Sequence, residues 1–279
     1  MIDIRKLICR FSLVIFLICV GILIKLLIID PYFLNKYNNE VKNVYHDNAL
    51  SEESKFESLL KINKDIKAWI FLSGTPIDYP VLYSEDGSNF YLNHNYKKEE
   101  TRYGSIFIDP TCKNTVNAKN IVVHGHHMKD GQMFAALVKF SDVDFYKKNP
   151  VIEFDTPTEE SSWKIVSVFK TNTLEKHGKL FNYIISEFNK ISDFLDFVKN
   201  IKIRSIIDIP VDVNRDDQLL TLSTCSYEFE EFRTVVVARK LRKGESRVVE
   251  NIDSAKKASN PLMPDCWYER YGGSPPKLT

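Results

Sequence analysis

Charge of one sign is missing from this chain. Its 38 Lys and Arg face 37 Asp and Glu, leaving a net charge of +1. Such a balance gives nucleic acid no electrostatic footing, because that partner needs a basic face. Glycine is sparse and no internal repeat is visible, so a stacked-repeat architecture has no support. The five cysteines lack the spacing of a disulfide framework. A small-x-small cleavage site is also missing after the apolar N-terminus, where Ile28-Ile29-Asp30-Pro31-Tyr32 stands instead. That absence argues against a cleaved signal peptide and for a retained anchor.

The anchor itself is a long apolar run. Leu7 to Ile29 is apolar except for Arg10, Ser12 and Lys25. At 1.5 Å per helical residue it spans a hydrocarbon core of about 30 Å. Arg10 and Lys25 lie near its ends, where long basic side chains reach the interface. Arg5, Lys6 and Arg10 precede the core, so the positive-inside rule predicts a single-pass protein with a cytoplasmic N-terminus and the remainder outside the cell.

Four regions follow from composition. Residues 1–30 form the transmembrane signal-anchor, and 31–66 a polar, Lys-rich helical stalk whose end, with Phe56, Leu59 and Leu60, is amphipathic. Residues 67–242 alternate short strand patterns with turns. Trp69–Leu72, Ile77–Tyr83, Gly104–Ile108, Ile121–His124, Val151–Asp155, Trp163–Lys170, Leu219–Cys225 and Thr234–Leu241 read as strands. Gln132–Phe140 and Asp142–Lys148 read as short helices, and the apolar series from Phe181 to Asn200 predicts a long one. The fold class is mainly β with inserted helices, closing as a β-barrel. Residues 243–279 form a C-terminal extension, either wrapped on the domain or disordered, with Trp267, Tyr268 and Tyr271 suited to packing.

One strand carries the chemistry. Side chains alternate along a strand, so Leu220, Leu222 and Thr224 share one face while Thr221, Ser223 and Cys225 share the other. A seven-residue loop, Ser226 to Phe232, leads to the next strand, and a hairpin returns Arg233 to Cys225. A free thiol titrates near pH 8.5 and needs help to react as thiolate, which a neighbouring imidazole supplies. A guanidinium cannot release its proton and serves instead as a clamp for an oxyanion. Three histidines, His124, His126 and His127, lie about a hundred residues upstream. His126 follows Gly125 at a strand end, where its ring can turn into a groove, whereas His124 is set inside the strand and His127 points elsewhere.

The segment Thr221-Leu-Ser-Thr-Cys225 with Arg233, together with Gly125-His126-His127-Met128-Lys129-Asp130-Gly131, resembles the sortases, specifically class B. The resemblance covers roughly Ala68 to Leu241 plus the anchor, and the tail beyond Arg242 departs from it. It implies an eight-stranded β-barrel and a membrane-anchored cysteine transpeptidase of Gram-positive bacteria, with no cofactor and no metal. By the same resemblance Cys225 is the nucleophile, His126 the histidine, Arg233 the arginine and Ser223 a wall of the substrate groove, while Arg239 is the alternative arginine. The long helix matches one that class B inserts before its last strands. The implied partners are secreted proteins bearing C-terminal sorting signals, of Asn-Pro-x-Thr-x or Ser/Pro-Pro-x-Thr-Gly type, and a peptidoglycan amine. Rival readings are a zinc hydrolase using His124, His126 and His127 with Asp130 or Cys112, and a non-catalytic wall-binding protein. A papain-like hydrolase is a third, although its cysteine precedes its histidine.

Overall fold

In the computed structural model, which describes residues 4–47 and 49–277, the chain divides into two units at Asp47. The first is helical. Helix α1 (Ile4–Ile24) buries no residue and passes through a π-type turn at Lys25–Ile29 into α2 (Asp30–Tyr45). The continuous helix Ile4–Tyr45 is long and apolar enough to cross a membrane, which makes it a candidate anchor.

The second unit opens with α3 (Glu52–Ile62), where Ser51 caps the start by accepting a hydrogen bond from the Ser54 amide. Phe56 and Leu59 are its buried face. The strands that follow are β1 (Ile66–Phe71), β2 (Asp78–Leu82), β3 (Ile106–Ile108) and β4 (Asn120–His124). Helix α4 (Val143–Lys148) leads to β5 (Val151–Asp155) and β6 (Ser162–Asn172). Helix α5 (Ile191–Arg204), a short β7 (Ile207–Asp208), β8 (Leu219–Ser226) and β9 (Phe232–Lys240) complete the domain. Eight of these strands close into a barrel in the order β1-β2-β3-β4-β8-β9-β6-β5. Pairing is antiparallel except for β2 with β3 and β4 with β8. Closure leaves no open edge, which suits a sheet of short strands.

Both faces of β8 are buried, because the barrel has an outer cover. Leu219 of β8 and Val235 and Val237 of β9 belong to a cluster with Phe194, Phe197 and Ile201 of α5. The predicted helix over Phe181–Asn200 is corrected here: α5 starts only at Ile191, and residues 181–188 are irregular. Their backbone is spent elsewhere. The Asn120 amide donates to Ser186 O at 3.0 Å, Asn120 Nδ2 donates to Ile185 O at 2.7 Å, and Asn182 Oδ1 accepts from the Ile184 amide. A helix would forfeit these bonds. Phe181, Ile184, Ile185 and Phe188 still pack on the outer cluster, so a helical spacing of apolar residues is used without a helix.

The extension packs on the domain. Strand β10 (Lys256–Lys257) pairs with β7, Val249 enters the outer cluster, and helix α6 (Asp265–Tyr271) buries Cys266. Its root is an ionic cluster. Arg239, only 2% exposed, sends a fork to Glu245 at 2.6 and 2.8 Å, and Lys164 donates to the same carboxylate at 2.8 Å. Arg242 binds both oxygens of Asp217 at 2.8 and 2.7 Å. The hydrogen bonds from Arg239, then from Lys164, hold the Glu245 carboxyl far below the usual carboxylate range. A depressed carboxyl contributes stability above its unfolded pKa, and that contribution fades as pH falls toward the folded value. Glu245→Gln should therefore cost about 2 kcal/mol near neutrality, because buried Arg239 loses its bidentate carboxylate and is left with those of Asp212, at 3.3 Å, and Asp217, at 3.9 Å. Urea unfolding between pH 3 and 7 should show a variant whose acid limb below about pH 4.5 is flatter than wild type.

Candidate active site

The β8–β9 pair sets the first two groups. Cys225 lies directly opposite Arg233 in the antiparallel register. Directly opposed residues share a face, with Cβ atoms about 5 Å apart, so thiol and guanidinium project together. That face belongs to the side covered by α5, and Cys225 is half-buried where the strand nears its end. Burial works against the charge of Arg233, but the Glu231 carboxylate and the Cys225 sulfur outweigh it and raise the guanidinium's pKa. Arg233 Nη2 donates to Glu231 Oε2 at 2.7 Å and Nη1 to Phe232 O at 3.0 Å, so the fork is anchored on one side. Arg239 is six residues further along β9, opposite Leu219, about 20 Å away along the strand. It cannot take the role.

Strand β4 runs parallel to β8, with His124 opposite Ser223. The contact continues past the strand: the Gly125 amide donates to Ser223 O at 3.2 Å, and Thr224 Oγ1 donates to Gly125 O at 2.7 Å. Continued past the strand end, the same register would bring residue 126 level with Cys225. Gly125 is required by close packing, because a Cβ there would lie 2.4 Å from Ile106 Cδ1 and 2.7 Å from Phe134 Cγ. The three histidines have separate partners. His124 Nε2 meets Asp109 Oδ2 at 2.8 Å, and Thr111 Oγ1 donates to the other oxygen, Oδ1, at 2.6 Å. Burial would raise the Asp109 carboxyl, but these hydrogen bonds outweigh it and hold it low. His127 Nδ1 lies 2.9 Å from Cys225 O, and its ring packs against Tyr227. His126 Nε2 lies 2.7 Å from Leu92 O. A carbonyl only accepts, so Nε2 carries a proton and Nδ1 is the nitrogen left for chemistry. The Leu92 carbonyl itself depends on Gly104, at φ +56°, where a Cβ would come within 2.2 Å of it.

Among the described residues no three His, Cys, Asp or Glu converge as a metal-binding group, and the divergent partners of the histidines leave the zinc reading without a ligand set. Burial pushes the Cys112 thiol up to about 11, and Cys266 is also raised by burial. Cys225 is the half-buried thiol of the second unit.

Two placements differ from sequence reasoning. Ser223 is 1% exposed, and its hydroxyl lies 2.9 Å from Tyr183 Oη. It supports a neighbour and does not itself face a groove. Tyr183, whose phenol is raised by burial and senses the charges of Arg233 and Cys225, escaped detection. Its only sequence signal was a hydroxyl within an apolar segment.

Comparison with known proteins gives the family. The family model described as the Sortase domain matches residues 74–241. Sortase B of Listeria monocytogenes is 36% identical over 221 residues, covering 75% of this chain and 87% of that protein. Sortase B of Staphylococcus aureus is 38% identical over 187 residues, covering 66% and 74%. The solved Staphylococcus aureus sortase B–substrate complex superposes with a TM-score of 0.68 at 33% identity, covering 77% of this chain and 99% of that one. A sortase B structure from B. anthracis gives 0.68 at 32% identity, with the same coverage. The chain therefore belongs to the sortase family, within class B, and is a sortase cysteine transpeptidase.

Proposed function

We propose that this sortase cleaves a C-terminal sorting pentapeptide of secreted proteins after its threonine and joins the new carboxyl end to a peptidoglycan amine. Cys225 is the nucleophile, His126 the acid and base, and Arg233 the oxyanion clamp. Ser223 acts through Tyr183. The observation that carries the assignment is the direct pairing of Cys225 with Arg233 across β8–β9. A solved relative in complex with its substrate supports the peptide reading.

The steps follow from the groups. The Cys225 thiolate attacks the threonine carbonyl carbon, and the oxygen takes up the displaced electron pair beside Arg233. As the carbonyl reforms, the C–N bond breaks, and the His126 imidazolium gives its proton to the departing amine. The thioester is then attacked by the acceptor amine, His126 takes the amine's proton, and the thiolate leaves as an amide forms. Residues 1–30 anchor the enzyme with its N-terminus in the cytoplasm, residues 31–66 space it, and residues 67–242 work outside the cell.

A panel of fluorogenic pentapeptides of the Asn-Pro-x-Thr-x and Ser/Pro-Pro-x-Thr-Gly types, offered to the full-length protein in detergent micelles, tests this reading. At least one should be cut after threonine, and an added amine should be captured in the product. Absence of cleavage across the panel would overturn the substrate assignment. His126→Gln should lower kcat about 10³-fold, the span general acid–base catalysis contributes. A loss below tenfold would move that role to another group.

A further inference from the structure

The loop between Cys225 and Arg233 is held in an unusual way. Glu231, the carboxylate that anchors Arg233, has φ +55°, a left-handed backbone that non-glycine residues adopt only when surroundings impose it. One side of the loop is tied to β6 and its following turn. Lys170 pairs with Glu228, Thr173 Oγ1 donates to Glu231 O at 2.8 Å, and Lys176 pairs with Glu230.

The other side is tied to the C-terminal extension, beyond the residues matched by the family model. Phe229, at the loop's centre, meets Tyr271 edge-on with ring centroids 6.2 Å apart and Trp267 at 6.3 Å. The Arg270 guanidinium lies over the Phe229 ring at 4.5 Å and donates to Glu228 O. Helix α6 is itself fixed: Cys266 is buried, the Leu262 amide donates to Ile203 O at 2.8 Å, and the Met263 amide donates to Tyr268 Oη at 2.9 Å. Phe229 in turn touches Phe232, with ring centroids 4.8 Å apart, and Phe232 precedes Arg233. An unbroken series of contacts thus runs from the extension to the guanidinium.

We propose that α6 is a positioning element of the active site: Trp267, Arg270 and Tyr271 grip Phe229 so that the β8–β9 loop keeps Arg233 in place beside Cys225. This rests on the assignment of Cys225 and Arg233 given above. Aromatic and cation–π contacts of this kind hold their partners beyond what area burial alone supplies. A displacement of about 1 Å at a clamp can cost up to about a hundredfold in rate.

The test uses the full-length protein in detergent micelles, with a peptide that the wild type cleaves. Trp267→Ala/Tyr271→Ala, Trp267→Phe/Tyr271→Phe, Arg270→Gln and Cys225→Ala are compared with wild type. Functional sites are counted by alkylation, read on the proteolytic fragment containing Cys225, so that kcat is expressed per reactive thiol. The double alanine variant should lose about tenfold in kcat per site, with KM within about twofold of wild type, and the phenylalanine pair should restore most of it. A lower melting temperature with unchanged kcat per site would overturn the proposal, because α6 would then support stability alone. Should the double alanine variant not fold, Arg270→Gln decides: a loss of about threefold per site supports the proposal, and full activity sinks it. Cleavage surviving in Cys225→Ala would instead overturn the underlying nucleophile assignment, a separate result.

Discussion

Cys225→Ala is expected to lower transpeptidation at least about 10⁴-fold, the scale seen when a covalent nucleophile is removed from a triad-type site. No neighbour can substitute. Ser226 is 3% exposed, with its hydroxyl committed to Glu228. The Tyr227 hydroxyl donates to His127 O at 2.7 Å. Cys112 is fully buried, with its thiol pushed up to about 11 by burial. Mass spectrometry of wild type quenched during turnover should show a thioester adduct on the fragment containing Cys225, and the alanine variant should show none. The fold should survive, because a half-buried thiol gives up little packing. An intact variant that still cuts peptide would therefore end the covalent mechanism.

Arg233→Lys should lose about 10²-fold in kcat while keeping its charge. The guanidinium is planar, and two of its nitrogens are already bound to Glu231 and Phe232 O. That attachment fixes the direction in which the rest of the fork meets a developing oxyanion. A lysine ammonium has no such plane, and its flexible stem lets it pair with Glu231 alone. Steady-state kinetics should show the loss mainly in kcat, since an oxyanion exists only after attack. Near-normal turnover would remove Arg233 from the reaction, and Arg239 could not inherit the role, being 2% exposed and engaged with Glu245.

Much of this was legible before any coordinates. Alternation along Leu219 to Cys225 set the thiol on one side of a strand, and the hairpin returned Arg233 opposite to it, as the register shows. The barrel itself was readable from many short strands with a few inserted helices. What alternation could not reveal was the outer cover: Thr221 and Ser223 share the face of Cys225 yet are buried, since Tyr183 and α5 lie over that side. The start of α5 was missed because Asn120 takes the backbone bonds of residues 185 and 186, a long-range competition invisible to local periodicity. The three adjacent histidines could be separated only by their partners, Asp109, Leu92 and Cys225 O, which lie far apart in sequence. In the extension the aromatic residues promised packing, but that Trp267 and Tyr271 meet Phe229 was invisible, because the two segments lie far apart in sequence.

The parallel union of β4 with β8 joins segments roughly a hundred residues apart. Closing such a span costs about 4 kcal/mol in chain entropy before any contact repays it, and topologies of this kind fold slowly. The β4–β8 pairing is therefore expected to form late, as the barrel shuts. Until then the strand that bears Cys225 lacks its β4 neighbour, so the site is complete only in the closed barrel.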